Sequence, residues 1–221
     1  SRVDTGLMEK HVVSKKRVAD HGEVFTRPRE VSAMLDLVKG ETERIDSRFL
    51  EPACGHGNFL TEILRRKLEV VARRYRKSPL EQERYTVLAV GSIYGIDILE
   101  DNVRQCRDRL FEIVRGHFEG LFPHDEILRT IRFVLERNII WGDALSLMTV
   151  GDNPQPIVFS EWSLVNGSMI KRRDFAFHEL LSYGGTKDRP LFSDMGEEVF
   201  FPEPVKQYPP THYLRLADAQ E

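Results

Sequence analysis

Phe49-Leu50-Glu51-Pro52-Ala53-Cys54-Gly55-His56-Gly57-Asn58 is the stretch that decides the fold of this chain. Arg48-Phe49-Leu50-Glu51 reads as a short apolar strand ending in an acid. Pro52 and two glycines then force a turn. Beyond it Leu60, Ile63, Leu64, Leu68, Val71 and Tyr75 recur at helical spacing, so the unit is strand, glycine turn, long helix. Glycines let a backbone come close to a ligand, and the start of the following helix favours the ligand's carboxylate.

Working outward, residues 28–39 are expected to form a helix. Pro28 suits its first turn, Val31, Leu35 and Val38 share a face, and Gly40 acts as the stop. Ser78 as N-cap and Pro79 behind it open another helix that runs to Gly91. Ile93-Tyr94-Gly95-Ile96-Asp97-Ile98 is a buried strand carrying an acid near its end. Val103, Cys106, Leu110 and Val114 mark one further helix, and Ile127, Ile131, Val134 and Leu135 the next. Asn138-Ile139-Ile140-Trp141 is a third strand, ending at Gly142-Asp143. Pro156-Ile157-Val158-Phe159 is a fourth, and Lys171-Arg172-Arg173-Asp174 leads into a helix with Phe175, Phe177 and Leu180. Strands alternating with helices predict an α/β domain, a mostly parallel sheet with helices on both faces. From Gly184 the pattern fades into a proline-rich stretch whose Phe200, Phe201, Tyr208 and Tyr213 offer apolar anchors. The expected division is an extension over 1–19, a folded domain over 20–183, and a tail over 184–221 that wraps it.

Composition sets bounds. With 221 residues, 41% hydrophobic and 30% charged, the chain has ordinary globular proportions. Thirty-two basic against 35 acidic side chains give a net charge of -3, with no general pull toward nucleic acid or anionic membrane. Residues 1–78 hold 17 Lys/Arg and 12 Asp/Glu and the remainder 15 and 23, so +5 and -8 sum to that total. Two cysteines, Cys54 and Cys106, are too few for a disulfide framework and have no zinc spacing. No metal is expected. No apolar run reaches membrane-spanning length and the start lacks a signal-peptide pattern, which predicts no membrane association and a cytoplasmic location.

In an open parallel sheet, ligands bind outside the carboxyl ends of the strands. Glu51 with its glycine turn, Asp97 and Asp143 fall at three such ends. A carboxylate at the second can accept both ribose hydroxyls, and one at the third an adenine amino group. Asp97 lies 42 residues beyond Gly55, against the roughly 20 of a dinucleotide fingerprint. The extra helix at 79–91 accounts for the excess and weakens a nicotinamide-dinucleotide reading. Three acids in order at three strand ends describe a nucleoside-binding domain.

Phe49-Leu50-Glu51-Pro52-Ala53-Cys54-Gly55-His56-Gly57-Asn58-Phe59-Leu60 closely resembles the first motif of the S-adenosylmethionine-dependent adenine-N6 DNA methyltransferases of restriction–modification systems. His21-Gly22-Glu23-Val24-Phe25-Thr26-Arg27-Pro28 resembles the segment preceding it. Tyr94-Gly95-Ile96-Asp97-Ile98 and Ile140-Trp141-Gly142-Asp143-Ala144-Leu145 resemble the second and third motifs. The resemblance covers roughly residues 20–146 and implies a Rossmann-like class I methyltransferase fold. It implies S-adenosyl-L-methionine as cofactor, S-adenosyl-L-homocysteine as product, and DNA as substrate. Phe25 and Thr26 would stand near the methionine end, and Glu51, Pro52, Ala53, Gly55 and Gly57 under the cofactor. Asp97 would take the ribose, Ile98 the adenine face, and Asp143 with Ala144 the adenine edge.

The family's catalytic Asn/Asp-Pro-Pro-Tyr/Phe, which would follow the fourth strand, is absent. Ser160-Glu161-Trp162 stands in its place. A hydroxyl or carboxylate can accept an amino hydrogen and an indole can stack on a flipped base, so these three are the catalytic candidates. The alternative makes Trp162 a packing anchor and Glu161 a loop acid. Asn153-Pro154-Gln155-Pro156 precedes the strand and reads as a turn, and Tyr208-Pro209-Pro210-Thr211 as extended tail. Lys171, Arg172 and Arg173 are candidates for phosphate contact, or the start of a solvated helix. His56 reads as a turn residue. Three functions stay open: methyl transfer to a nucleic-acid amino group, a non-catalytic cofactor-binding subunit, and methyl transfer to a non-DNA substrate. The roughly 75 residues after Asp143 leave no room for a target-recognition domain, so a protein partner is expected.

Overall fold

A computed structural model describes residues 28–37, 39–183 and 203–219. Phe25 and Thr26 lie outside the described residues, as do Val38 and the stretch 184–202. Among the described residues the first helices are α1 (Pro28–Asp36) and a four-residue α2 (Lys39–Thr42), so Gly40 sits inside a second short turn of helix. Strand β1 (Phe49–Glu51) leads through the glycine turn into α3 (Asn58–Arg74). Helix α4 (Pro79–Gly91) follows, with the Ser78 hydroxyl accepting from the Glu81 N–H at 3.2 Å as an N-cap. Next come β2 (Ile93–Asp97), α5 (Glu100–His117), α6 (Ile127–Asn138) and β3 (Ile139–Asp143). A two-residue β4 (Met148–Thr149) turns back against β3.

These strands form one sheet in the order β1-β2-β3-β4, parallel between the first three and antiparallel at the last. Alternation along each strand sorts its side chains onto two faces. Phe49, Ile93, Ile139 and Trp141 join the larger core, which α3, α4, α5 and α6 complete with Leu60, Leu64, Val90, Cys106, Leu110 and Val134. Leu50, Tyr94, Ile96 and Ile140 face the other way, onto Ile157, Phe159 and Phe177.

The rest of the chain departs from expectation. The fourth strand does not join the parallel sheet. It is β5 (Val158–Asn166), antiparallel to β6 (Met169–Ala176), and α7 (Phe177–Tyr183) begins only after that. The mostly parallel sheet is therefore corrected to two sheets, one partly parallel and one antiparallel. The hairpin signal was present as Asn166-Gly167, with Gly167 at φ +56° in the tight turn joining the paired residues Asn166 and Met169. The basic triplet is part of strand β6, not the approach to a helix. Two further short strands, β7 (Lys206–Gln207) and β8 (Thr211–His212), pair with β6. A 3-10 helix (Tyr213–Asp218) then buries Tyr213 and Leu216 in the larger core. The Tyr213 hydroxyl donates to buried Glu83, and the Thr130 hydroxyl donates to the Tyr213 carbonyl at 2.8 Å.

The amino ends of the strands are tied by Lys67. Fully buried on α3, its ammonium donates to the Ile45 carbonyl at 3.0 Å, to the Ser47 carbonyl, and to the Ser92 hydroxyl at 2.8 Å. One side chain thus fixes the chain entering β1 and the residue before β2. No helix among the described residues is long and apolar enough to cross a membrane, and none of their acidic, His or Cys side chains group as metal ligands.

Candidate functional site

Pairing register places the three acids. Glu51 lies opposite Gly95, so Asp97 stands two residues further along its strand; Asp97 lies opposite Trp141, so Asp143 stands two further again. All three share parity with Phe49, Ile93 and Ile139, so they belong to the helix-covered face. With about 3.3 Å of rise per residue and about 4.8 Å between strands, each step spans about 8 Å. The acids form a staircase about 16 Å from end to end along the carboxyl ends of the sheet.

Each acid also makes a local bond to the N–H two residues on. Glu51 Oε1 accepts from Ala53 at 3.4 Å, Asp97 Oδ1 from Leu99 at 2.9 Å, and Asp143 Oδ1 from Leu145 at 2.9 Å. Such turns shape the loop after each strand. Among the described residues, no hydrogen bond reaches Glu51 Oε2 or Asp143 Oδ2. Burial raises the Glu51 pKa, and the Ala53 N–H opposes that in part. Pro52 and Ala53 are exposed, and Ala144 is half-buried beside the smaller core.

Asp97 is the most constrained of the three, only 8% exposed. Its Oδ2 accepts from the Gly55 N–H at 2.9 Å, and its Oδ1 also accepts from the Asn102 amide at 3.2 Å. The carboxylate therefore ties the glycine turn to the start of α5. Three donors occupy most of its roughly four acceptor positions. A sugar diol held there through both hydroxyls must displace the Gly55 or Asn102 donor. Asn102, fully buried, is a site residue that the strand-end pattern did not reveal. Its spacing of five from Asp97, one helical turn into α5, was the available signal.

The two glycines of the turn have different reasons. Gly57 has φ +83°, and a Cβ there would lie 2.6 Å from Cys106 Sγ, so both backbone and packing require glycine. Gly55 has φ +54°, and a Cβ there would meet no atom within 4 Å. Its N–H points at Asp97 while its other side is open. The Cys54 thiol is pushed well up by its hydrogen bond with Cys106 and by burial, which marks it as an inert packing group. His56 lends its carbonyl to Arg109 at 2.8 Å, and Arg109 also holds the Asn58 side chain at 2.8 Å. Ile98 is 45% exposed, an apolar side chain on the rim beside Asp97.

Ser160, Glu161 and Trp162 lie at the other end of the sheet. Glu161 pairs with Arg48, the residue before β1, at 3.1 Å. Trp162 packs on Gly91, just before β2, and its indole N–H donates to Asn138, just before β3, at 3.0 Å. Five residues of strand, about 16 Å, separate these groups from the acid staircase. Their bonding capacity is also taken up internally. The Ser160 hydroxyl donates to Asp174 at 2.6 Å, and Glu161 accepts from Arg173 at 2.9 Å. Trp162 stands edge-on to Phe133, with ring centroids 6.1 Å apart. The expected catalytic trio thus lies away from the acid staircase, where it locks the hairpin beneath the amino ends of the strands.

The basic triplet, expected to contact phosphate or to start a solvated helix, lies on the same hairpin. Arg172 is buried, bidentate to Asp174 at 3.0 Å for each bond, and its guanidinium lies 4.2 Å from the Tyr208 ring centre. Arg173 is engaged by Glu161. Lys171 is half-exposed, opposite Ser163, and among the described residues no ion pair engages it. Two of the three basic residues, Arg172 and Arg173, therefore serve the hairpin's internal ion pairs. Asn153-Pro154-Gln155-Pro156, expected as a turn, lies in the loop before β5, where the Thr149 N–H donates to the Gln155 carbonyl at 2.7 Å and Pro156 bridges to Met148.

Comparison with protein-family models, with curated proteins and with solved structures gives no match. Assignment rests on the residues themselves.

Proposed function

We propose that this chain binds S-adenosylmethionine along the acid staircase, in a Rossmann-like class I methyltransferase arrangement, and serves methyl transfer to adenine in DNA. The observation that carries the reading is the register: Glu51, Asp97 and Asp143 on one face, at successive strand ends, beside a glycine turn open at Gly55. The donor set suits the cofactor. Glu51 offers an acceptor to the methionine ammonium, and the Gly55–Gly57 turn at the start of α3 suits its carboxylate. Asp97 serves the ribose, Ile98 one adenine face, and Asp143 with Ala144 the adenine edge. When bound, the cofactor supplies an electrophilic methyl group. The chain's part is to hold and orient it, which is most of what an in-line displacement requires.

A second reading is favoured by the position of Ser160, Glu161 and Trp162 under the opposite ends of the strands. On that reading the chain is a cofactor-binding subunit, and a protein partner contributes the groups that accept the adenine amino hydrogens. Labelled S-adenosylmethionine distinguishes the two. Incubated with DNA of varied sequence, the isolated protein transfers methyl on the first reading, and only with a co-purified partner on the second. Failure of the folded protein to bind the cofactor overturns both.

A further inference from the structure

Trp141 lies directly opposite Asp97 in the β2–β3 register and two residues before Asp143. It shares their face, so its indole stands between the second and third steps of the staircase. The ring is half-buried, its inner part packed against the larger core. Its N–H donates to the Ile98 carbonyl at 3.0 Å, across the gap between the two strand ends. Nothing in a β-strand requires that bond, because the Ile98 peptide lies beyond the last residue of β2. Its effect is to fix the rim segment on which Ile98 presents an apolar side chain to solvent.

Given the cofactor reading above, on which this rests, the geometry points to Trp141 as the positioning residue of the nucleoside end of the site. It holds Ile98 as the wall on which a purine ring rests, and its own ring borders any ligand that spans Asp97 and Asp143. Phenylalanine at this position keeps the apolar packing and removes only the N–H. Without that bond the Ile98 peptide loses its tie to β3 and is held only through its neighbours, by the Asp97–Leu99 turn and by the Leu99 carbonyl accepting from the Val103 N–H at 3.2 Å.

The test uses S-adenosylhomocysteine and the full chain. Trp141→Phe is expected to weaken its binding about tenfold by calorimetry, about the loss of one net hydrogen bond, while circular dichroism remains that of the wild type. Ile98→Ala is expected to weaken it comparably. The double variant should lose little more than the worse single one, because both changes disable the same wall. A purely structural Trp141 would change melting temperature and give additive losses. The chain has two tryptophans, so Trp162→Phe leaves Trp141 as the sole indole emitter. Its emission should change on titration with S-adenosylhomocysteine, saturating at the calorimetric affinity. If Trp162→Phe does not fold, the wild-type protein reports the same change over a constant Trp162 background. Wild-type binding with a Trp141→Phe affinity within twofold, additive losses or silent emission overturns the proposal. Absence of wild-type binding overturns the cofactor reading instead.

Discussion

Replacing Lys67 by Met removes a charge from the interior while keeping most of the side-chain volume. Burial pushes the Lys67 pKa down from 10.5 to about 7, and nearby Asp46 opposes that only in part. The three oxygens around the ammonium hold it in place but do not return it to water. An unfolded lysine keeps its proton up to about pH 10.4. Between pH 7 and that value the unfolded chain binds more protons than the folded one, so wild-type stability rises with pH. The penalty for burying the charge is complete below pH 7 and is relieved above it. The slope approaches about 1.4 kcal/mol per pH unit, or about 2–3 kcal/mol between pH 7 and 9. Lys67→Met has no such group. The carbonyls it leaves without a donor cost the same at every pH. Urea denaturation of both proteins at pH 6, 7, 8 and 9 should give a level difference from 6 to 7 and then a widening gap in favour of the wild type. A gap that stays level to pH 9, or narrows, would refute the assignment of a buried, readily deprotonated lysine beneath β1 and β2.

Other changes follow from the same geometry. Gly57→Ala should cost at least about 2 kcal/mol, from the left-handed backbone and the contact with Cys106, and pairing it with Cys106→Ala should recover part of that in denaturant titrations. Trp162→Phe should lower stability by about 1–3 kcal/mol by stranding the Asn138 side-chain oxygen, yet leave S-adenosylhomocysteine affinity unchanged by calorimetry. Reduced affinity would return Trp162 to the site. Tyr213→Phe should cost about 1.5–3 kcal/mol, the loss of a hydrogen bond to buried Glu83, read as a lower melting temperature.

How much was legible in the sequence divides by the range of the forces involved. The elements at 49–74, 79–91, 93–97 and 139–143 were readable because local signals bound them. The glycine turn follows the first strand, Ser78-Pro79 opens the helix, and an acid closes each strand. The order of the acids was readable too, but not their common face, which depends on cross-strand register. Beyond Asp143, Pro156-Ile157-Val158-Phe159 reads as a fourth parallel strand only by analogy with the first three. Asn166-Gly167 is the local signal against it: a tight turn between two runs of alternating residues marks a hairpin. Arg172 and Arg173 misled because consecutive basic residues read as solvated. In the fold Asp174 and Glu161 reach them across the hairpin, a pairing that only tertiary structure supplies. No local signal marks Trp141 as a positioning residue, since its bond to the Ile98 carbonyl joins residues 43 apart in sequence.

The central claim is that the carboxyl ends of β1, β2 and β3 hold a nucleoside carrying an amino-acid chain, with Asp97 on the sugar. Titration of the folded protein with S-adenosylhomocysteine by calorimetry tests it most directly, alongside Asp97→Asn, which keeps an oxygen for the Leu99 and Asn102 donors. The wild type should bind one equivalent. Asp97→Asn should weaken binding about tenfold to a hundredfold, the range for losing a charged acceptor. No heat of binding from the wild type, or equal affinity in the two proteins, would contradict the account.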